Sequence, residues 1–394
     1  MNHRPWHRFW PDHVARFLEY PRLPTWWLLE RNLPRFASRV AVIELDPETL
    51  QVRRRLTYEA LWRAVRGVGT ALGEHDVGAG VRVGMCVPNG VAAVIAAHGT
   101  WYTGGEVVPA DPSASADELT ERLGDGEVTL VIGAAAGTAA AAAEALGVPF
   151  VDLEALRAME ATRPGGPGDY RSEDDVAVIV GDGAAAGAIL SHRNLVASAI
   201  QVGEWYAFAA GAEIALAAIP ASRGGRLLGA MNVALSTGAT LLAIPSVASG
   251  AVARALARHR VTRLFAEPAA LVARPEDGAG PDRSAVGFVI EGHDVAETGA
   301  LIHANPIHRP KPGSIGIPLP DTDARVVDPD SGIDVGPGHP GALLVRGPQV
   351  MRARGNLPPQ MARALGEGWL VTGDVATMDD EGYFALVGVS ICRR

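Results

Sequence analysis

From residue 56 onward the apolar positions switch between two periods. Residues 56–75 carry them at helical spacing behind Thr57, a residue suited to an N-cap, with Glu59 in the first turn. Residues 81–88 form a short apolar run ended by Pro88-Asn89-Gly90, which predicts a buried strand. A helical pattern over 91–104 and a strand over 106–112 follow. Next come a strand at 129–133, an Ala-rich helix over 134–146 and a strand at 148–153. Strands alternating with helices at this spacing predict parallel sheets covered by helices.

The pattern breaks at 162–174, a polar, Pro/Gly-rich stretch that reads as a linker or long surface loop. A second α/β section predicts strands near 176–180, 214–219, 239–244, 262–265 and 286–290. From Lys311 the character changes to short strands at 324–328, 341–347 and 383–388, separated by turn clusters, which predicts a small antiparallel β unit. The expected fold class is therefore α/β: two helix-covered, mostly parallel sheet lobes plus a small antiparallel, barrel-like unit. The expected boundaries are 1–174, 175–305 and 306–388, with 389–394 left over. No internal repeat is apparent.

Composition narrows the picture. With 394 residues, 48% hydrophobic and 20% charged, the chain has the material for a large core of two or three lobes. A net charge of −9 argues against a nucleic-acid partner, which needs a basic face. Cys86 and Cys392 are too few for a disulfide framework and fit a reducing cytoplasm, and residues 1–17 mix charge, Pro and Trp unlike a signal peptide. The uncharged run 227–244 is interrupted by Asn232, Ser236, Thr237 and Gly238, so it reads as a buried helix turning into a strand, not a membrane span. Trp6, Trp10, Trp26 and Trp27 make the N-terminal arm apolar, and it is expected to pack against the first lobe.

Candidate chemistry centres on 181–187. Gly181, Gly183 and Gly187 let backbone amides approach an anion, yet the loop holds no Lys, Arg, Ser or Thr and carries Asp182. A dinucleotide-type reading would pair these glycines with Glu204; the bland reading is a tight connection that only caps a sheet. His98, His192, His303 and His308 show no metal-ligand spacing and read as structural, and Arg223 reads either as a carboxylate partner or as a surface residue.

The segments KPGSIGIPLPDTDARVVD, GALLVRGPQVM and GWLVTGDVATMDDEGYFALVG, with LSHRNLVAS upstream, resemble the adenylate-forming acyl-CoA synthetase superfamily. The opening PWHRFWPDHVARFLEYPRLPTWWLLERN is most similar to bacterial long-chain fatty-acid–CoA ligases. The resemblance implies activation of a carboxylate with Mg-ATP to an acyl-adenylate, then transfer to the thiol of CoA. It implies nucleotide-binding roles for Asp374, His293, Glu297, Thr298, Gly183 and Gly187. Asp374 would take the ribose hydroxyls, His293 would stack on adenine, and Glu297 would bind Mg²⁺.

The chain also departs from the family pattern. The loop corresponding to TSGTTGxPKG is short and has lost its hydroxyls and lysine. Where the family reads Tyr-Gly-x-Thr-Glu, this chain has His293-Asp294-Val295-Ala296-Glu297. A βα-sized piece is expected to be missing between Gly292 and Val295, along with the C-terminal lid and its lysine; Val389 stands in place of a ribose-contacting Arg. Catalysis is therefore expected to be severely impaired. The alternatives are a non-catalytic protein holding a fatty acid, an acyl-adenylate or a partner protein, and a split ligase completed by a separate C-terminal domain.

Overall fold

The computed structural model describes residues 4–162, 168–180, 188–245, 249–266, 288–290, 292–351 and 368–389. Two six-stranded sheets carry the α/β part. The first runs, in spatial order, Phe150–Asp152, Leu130–Gly133, Arg82–Cys86, Glu106–Pro109, Val176–Val180, Ala188–Ser191. The second runs Phe288–Ile290, Arg263–Ala266, Ile214–Ala218, Thr240–Ala243, Val40–Leu45, Val52–Thr57. Each is parallel except for one antiparallel edge strand, Ala188–Ser191 in the first and Val52–Thr57 in the second.

The two sheets share one topology, so the chain contains an internal structural repeat that the sequence pattern did not reveal. Each half supplies a hairpin, then a helix, strand, helix and strand in the same order. Thr57 caps helix Tyr58–Glu74 straight after one hairpin, and Ser191 caps helix His192–Trp205 straight after the other. Gly104 and Gly238, at φ 81 and 75, make the equivalent turns from the next helix into its strand.

The hairpins are exchanged. Val40–Leu45 and Val52–Thr57 complete the sheet of the second half, while Val176–Val180 and Ala188–Ser191 complete that of the first. The expected boundary at residue 174 therefore does not separate the sheets. Hydrophobic periodicity reports which residues are buried but not which strand they pair with, and pairing here crosses the chain.

Helices Val91–Tyr102 and Gly224–Ser236 are buried almost throughout and contact strands of both sheets. The run 227–244 is thus a core helix, a turn at Gly238 and strand Thr240–Ala243, as its pattern predicts. Among the described residues no helix is long and apolar enough to cross a membrane. The stretch after 168 is pinned, not free: Asp169 N donates to Tyr102 O at 2.9 Å.

The β unit comprises a four-stranded antiparallel sheet (Asp323–Val327, Gly341–Arg346, Leu370–Met378, Phe384–Val389) and a three-stranded one (Gly292–His293, His303–Ala304, Ile317–Pro318). Antiparallel pairing thus begins at Gly292, upstream of the expected 306. The arm splits its contacts. Trp26 packs on Trp62 and Tyr102 of the first lobe, but Trp10 packs on Trp205, and Trp6 on Phe384 of the β unit.

Candidate functional site

The hairpin ends lead to the site. Val40–Leu45 and Val176–Val180 begin VAVIE and VAVIV, and both shift register after their first residue. Glu44 then pairs with Arg54 as Val180 pairs with Ala188. Each of these residues presses on a glycine at the start of a central helix. A Cβ on Gly90 would lie 2.7 Å from Glu44 Oε2, and one on Gly225 2.7 Å from Val180 Cγ2.

The outcomes differ chemically. Glu44 accepts from Val91 N at 2.8 Å and so fills the amino end of helix Val91–Tyr102 with the chain's own carboxylate. Val180 has no acceptor, and helix Gly224–Ser236 has no side-chain cap among the described residues. Residues 181–187, with Gly183 and Gly187, follow Val180 and lie outside the described residues, as do 390–394.

Asp374 stands in strand Leu370–Met378, beyond Gly373 at φ 82, and its N–H donates to Thr372 Oγ1 at 3.1 Å. His293 is in register with His303, and Gly292 is required there, because a Cβ would lie 2.3 Å from His303 O. This pairing brings His293 Nε2 to 3.0 Å from Asp374 Oδ2, with the side chains 10% and 12% exposed. The atoms are at ion-pair distance but out of hydrogen-bond alignment, so each is buried with unmet hydrogen-bonding capacity. His303 lies behind them with its ring 4.8 Å from Phe384, and burial first, then His293, pushes its pKa well below the ordinary histidine value.

The segment after His293 is held from several sides. Asp294 Oδ1 lies 2.8 Å from Arg226 Nη1 in the first turn of Gly224–Ser236, so the extra acid does not stand alone. Thr298 is buried; its hydroxyl donates to Val295 O at 2.9 Å and is 3.2 Å from Ala300 O. Glu297 O accepts from Met351 N at 2.9 Å, and no described residue pairs with its carboxylate. Asn194 ties the same region to helix His192–Trp205, donating to Pro348 O at 2.8 Å and Val350 O at 2.9 Å.

The structure thus brings Asp374 and His293 together and places Glu297 and Thr298 on the same segment. Asp374 Oδ2 is a buried acceptor without a donor among the described residues, a chemistry that a ligand hydroxyl would complete. Glu297 offers one hard oxygen ligand, which suits Mg²⁺ only if phosphate oxygens complete the sphere; among the described residues no three metal-binding side chains gather.

Glu204 is at the far end of helix His192–Trp205, in a cleft with Arg31 and Phe36, away from the strand end a dinucleotide reading requires. His98 is buried with its ring 5.0 Å from that of Trp101, and His192 Nδ1 lies 2.8 Å from Thr25 Oγ1, both inside the core. Sequence reasoning passed over Glu44 and Arg226; the VAVIE/VAVIV pair was the available signal for the first.

A family model described as AMP-binding enzyme matches residues 29–286 and 282–353. A long-chain-fatty-acid–CoA ligase of Bacillus subtilis is 25% identical over 462 positions, covering 98% of this chain and 80% of the relative. That alignment is longer than this chain, so parts of the relative have no counterpart within it. A feruloyl-CoA synthase of an Amycolatopsis species is 30% identical over 87% of this chain and 76% of its own. In structure, a long-chain-fatty-acid–CoA ligase from Archaeoglobus fulgidus superposes with a TM-score of 0.80 over 95% of this chain and 86% of its own, at 18% identity, a likeness of fold.

Proposed function

Because the chain belongs to the AMP-binding enzyme family, we propose that it holds an adenylyl group against His293 and Asp374, and that its inherited reaction is ATP-dependent activation of a long-chain fatty carboxylate. The observation carrying this reading is the buried Asp374 Oδ2, which lies 3.0 Å from an imidazole nitrogen yet accepts no hydrogen bond among the described residues. In that role Asp374 accepts from the ribose hydroxyls, His293 offers a flat ring to the base, and Glu297 supplies a carboxylate oxygen for Mg²⁺. Mg-ATP supplies the α-phosphorus that the fatty carboxylate attacks as pyrophosphate leaves.

Turnover is slow in this reading. Residues 181–187 offer backbone amides but no cation or hydroxyl for the departing pyrophosphate, and the Thr298 hydroxyl is engaged within its own turn. The same observations favour a second reading, in which the chain binds an adenylyl or acyl-adenylate ligand without turning it over.

Calorimetric titration with AMP, alongside ATP–pyrophosphate exchange with palmitate, tests both. AMP binding that weakens at least tenfold in Asp374→Ala is the expected result. Binding unaffected by that change removes the site. Exchange as fast as in an active fatty-acid ligase refutes impairment, and exchange restored only by a separately expressed C-terminal domain assigns a split enzyme. CoA transfer is measured in the same samples.

A further inference from the structure

One departure from the family pattern meets a partner from another helix in space. Asp294 stands where the family carries glycine, directly after His293 and three residues before Glu297. An unbalanced carboxylate there would repel a nucleotide's phosphates. Arg226 lies 2.8 Å from it, and both side chains are 18% exposed, so the pair is largely out of water and only weakly screened.

The arginine is fixed by its helix. Gly224 and Gly225 pack on Pro109 and Val180, locking the first turn of Gly224–Ser236 against two strand ends of the first sheet. A second guanidinium nitrogen reaches toward Ala266 O, at 3.5 Å, at the end of a strand of the second sheet. Arg226 therefore stands where both sheets present their carboxyl ends, beside the residue that precedes 181–187.

We infer that Arg226 is a positioning residue for the nucleotide site: it holds Asp294 as a neutral pair, so that the segment between His293 and Glu297 accepts a phosphate that Asp294 alone would turn away. The inference rests on the adenylyl-binding reading above. It assigns to Arg226 an effect on the phosphate and none on the nucleoside.

Titration of AMP and adenosine into wild type, Arg226→Leu, Asp294→Asn and the double variant separates the possibilities, with thermal unfolding as the fold control. Arg226→Leu should raise the AMP Kd roughly tenfold and leave adenosine within about twofold, as expected for one uncompensated charge several ångströms from a phosphate. Asp294→Asn should tighten AMP, and the double variant should return AMP to within about threefold of wild type. Equal weakening of AMP and adenosine in Arg226→Leu would show a merely structural pair and overturn the inference, as would a double variant no better than Arg226→Leu. If wild type binds neither ligand, the adenylyl reading fails and this inference with it. Adenosine binding with an AMP-to-adenosine ratio unchanged in Arg226→Leu overturns this inference alone.

Discussion

Glu44 and Val180 hold the same register position in two copies of one hairpin, opposite Arg54 and Ala188, and each presses on a glycine at the start of a buried helix. The carboxylate closes its helix end through Val91 N, while the isopropyl group offers the other no acceptor of its own. One amino end of the duplicated fold is thus met by a carboxylate of the chain, and the other carries Arg226 of the candidate site in its first turn.

Exchanging these two chemistries is the direct test. Val180→Glu should place a carboxylate at the amino end of Gly224–Ser236, where Gly225 leaves the space that Gly90 leaves for Glu44. AMP binding should be lost while thermal stability stays within a few degrees of wild type. AMP binding at wild-type strength in a folded Val180→Glu protein would refute the equivalence.

Glu44→Gln keeps the shape and removes the charge at the other helix end. A loss of about 1 kcal/mol in urea unfolding is expected, typical of a charge-assisted bond at a helix amino end, with AMP binding unchanged. An unchanged unfolding midpoint would count against the role given to Glu44.

At His293, a phenyl ring preserves a stacking surface and removes the nitrogen 3.0 Å from Asp374. His293→Phe should keep AMP binding within about threefold of wild type or strengthen it, whereas His293→Ala should weaken it about tenfold. Equal losses in both variants would mean that the imidazole nitrogen, and not the ring face, matters.

Acid should destabilise the protein well above the carboxylate range. Burial lowers His192 from its ordinary value of 6.5 to about 4 and His98 to about 3, and His303 shifts in the same direction. Between those values and 6.5 the unfolded chain binds protons that the folded chain refuses. The stability these neutral rings contribute is fully present above about pH 6.5 and is lost as pH falls toward 4. For His192 alone the loss is about 3 kcal/mol. Urea unfolding at pH 7.5, 5.5 and 4.5 should show it, and His192→Asn should flatten part of the slope. A flat profile across that window would contradict the assignment.

Asn194 caps its helix with Ser191 and also donates to Pro348 O and Val350 O, next to the residue that holds Glu297 O. Asn194→Ala should cost about 2 kcal/mol of stability, since it leaves the buried Val350 carbonyl and the part-buried Pro348 carbonyl without their donor. A loss below about 0.5 kcal/mol would indicate that water replaces the amide.

Many of the individual elements were legible in the sequence because local chemistry decides them, but the strands Val40–Leu45, Val52–Thr57 and Ala188–Ser191 went unmarked. Thr57 caps its helix as its position predicts, and residues 227–244 turn at Gly238. His293 and Asp374 were legible as a pair only through the family resemblance; the distance between them depends on the register of Gly292–His293 with His303–Ala304. The hairpin exchange and the partner of Asp294 were not legible. Both rest on contacts between segments far apart in the chain, where a short echo such as VAVIE and VAVIV carries too little periodicity to be noticed. In the sequence Asp294 stands out only as a departure from the family motif; its partner Arg226 comes from a distant helix.

The traded hairpins also bear on how the molecule can be divided. A cut anywhere from residue 153 to 175 leaves Val40–Leu45 and Val52–Thr57 on one fragment and the sheet they complete on the other. The second half would then expose strand Thr240–Ala243, and the first would expose Glu106–Pro109, each as a bare edge open to wrong partners. The halves are interlocked: neither is a module that can be borrowed, expressed or lost without the other.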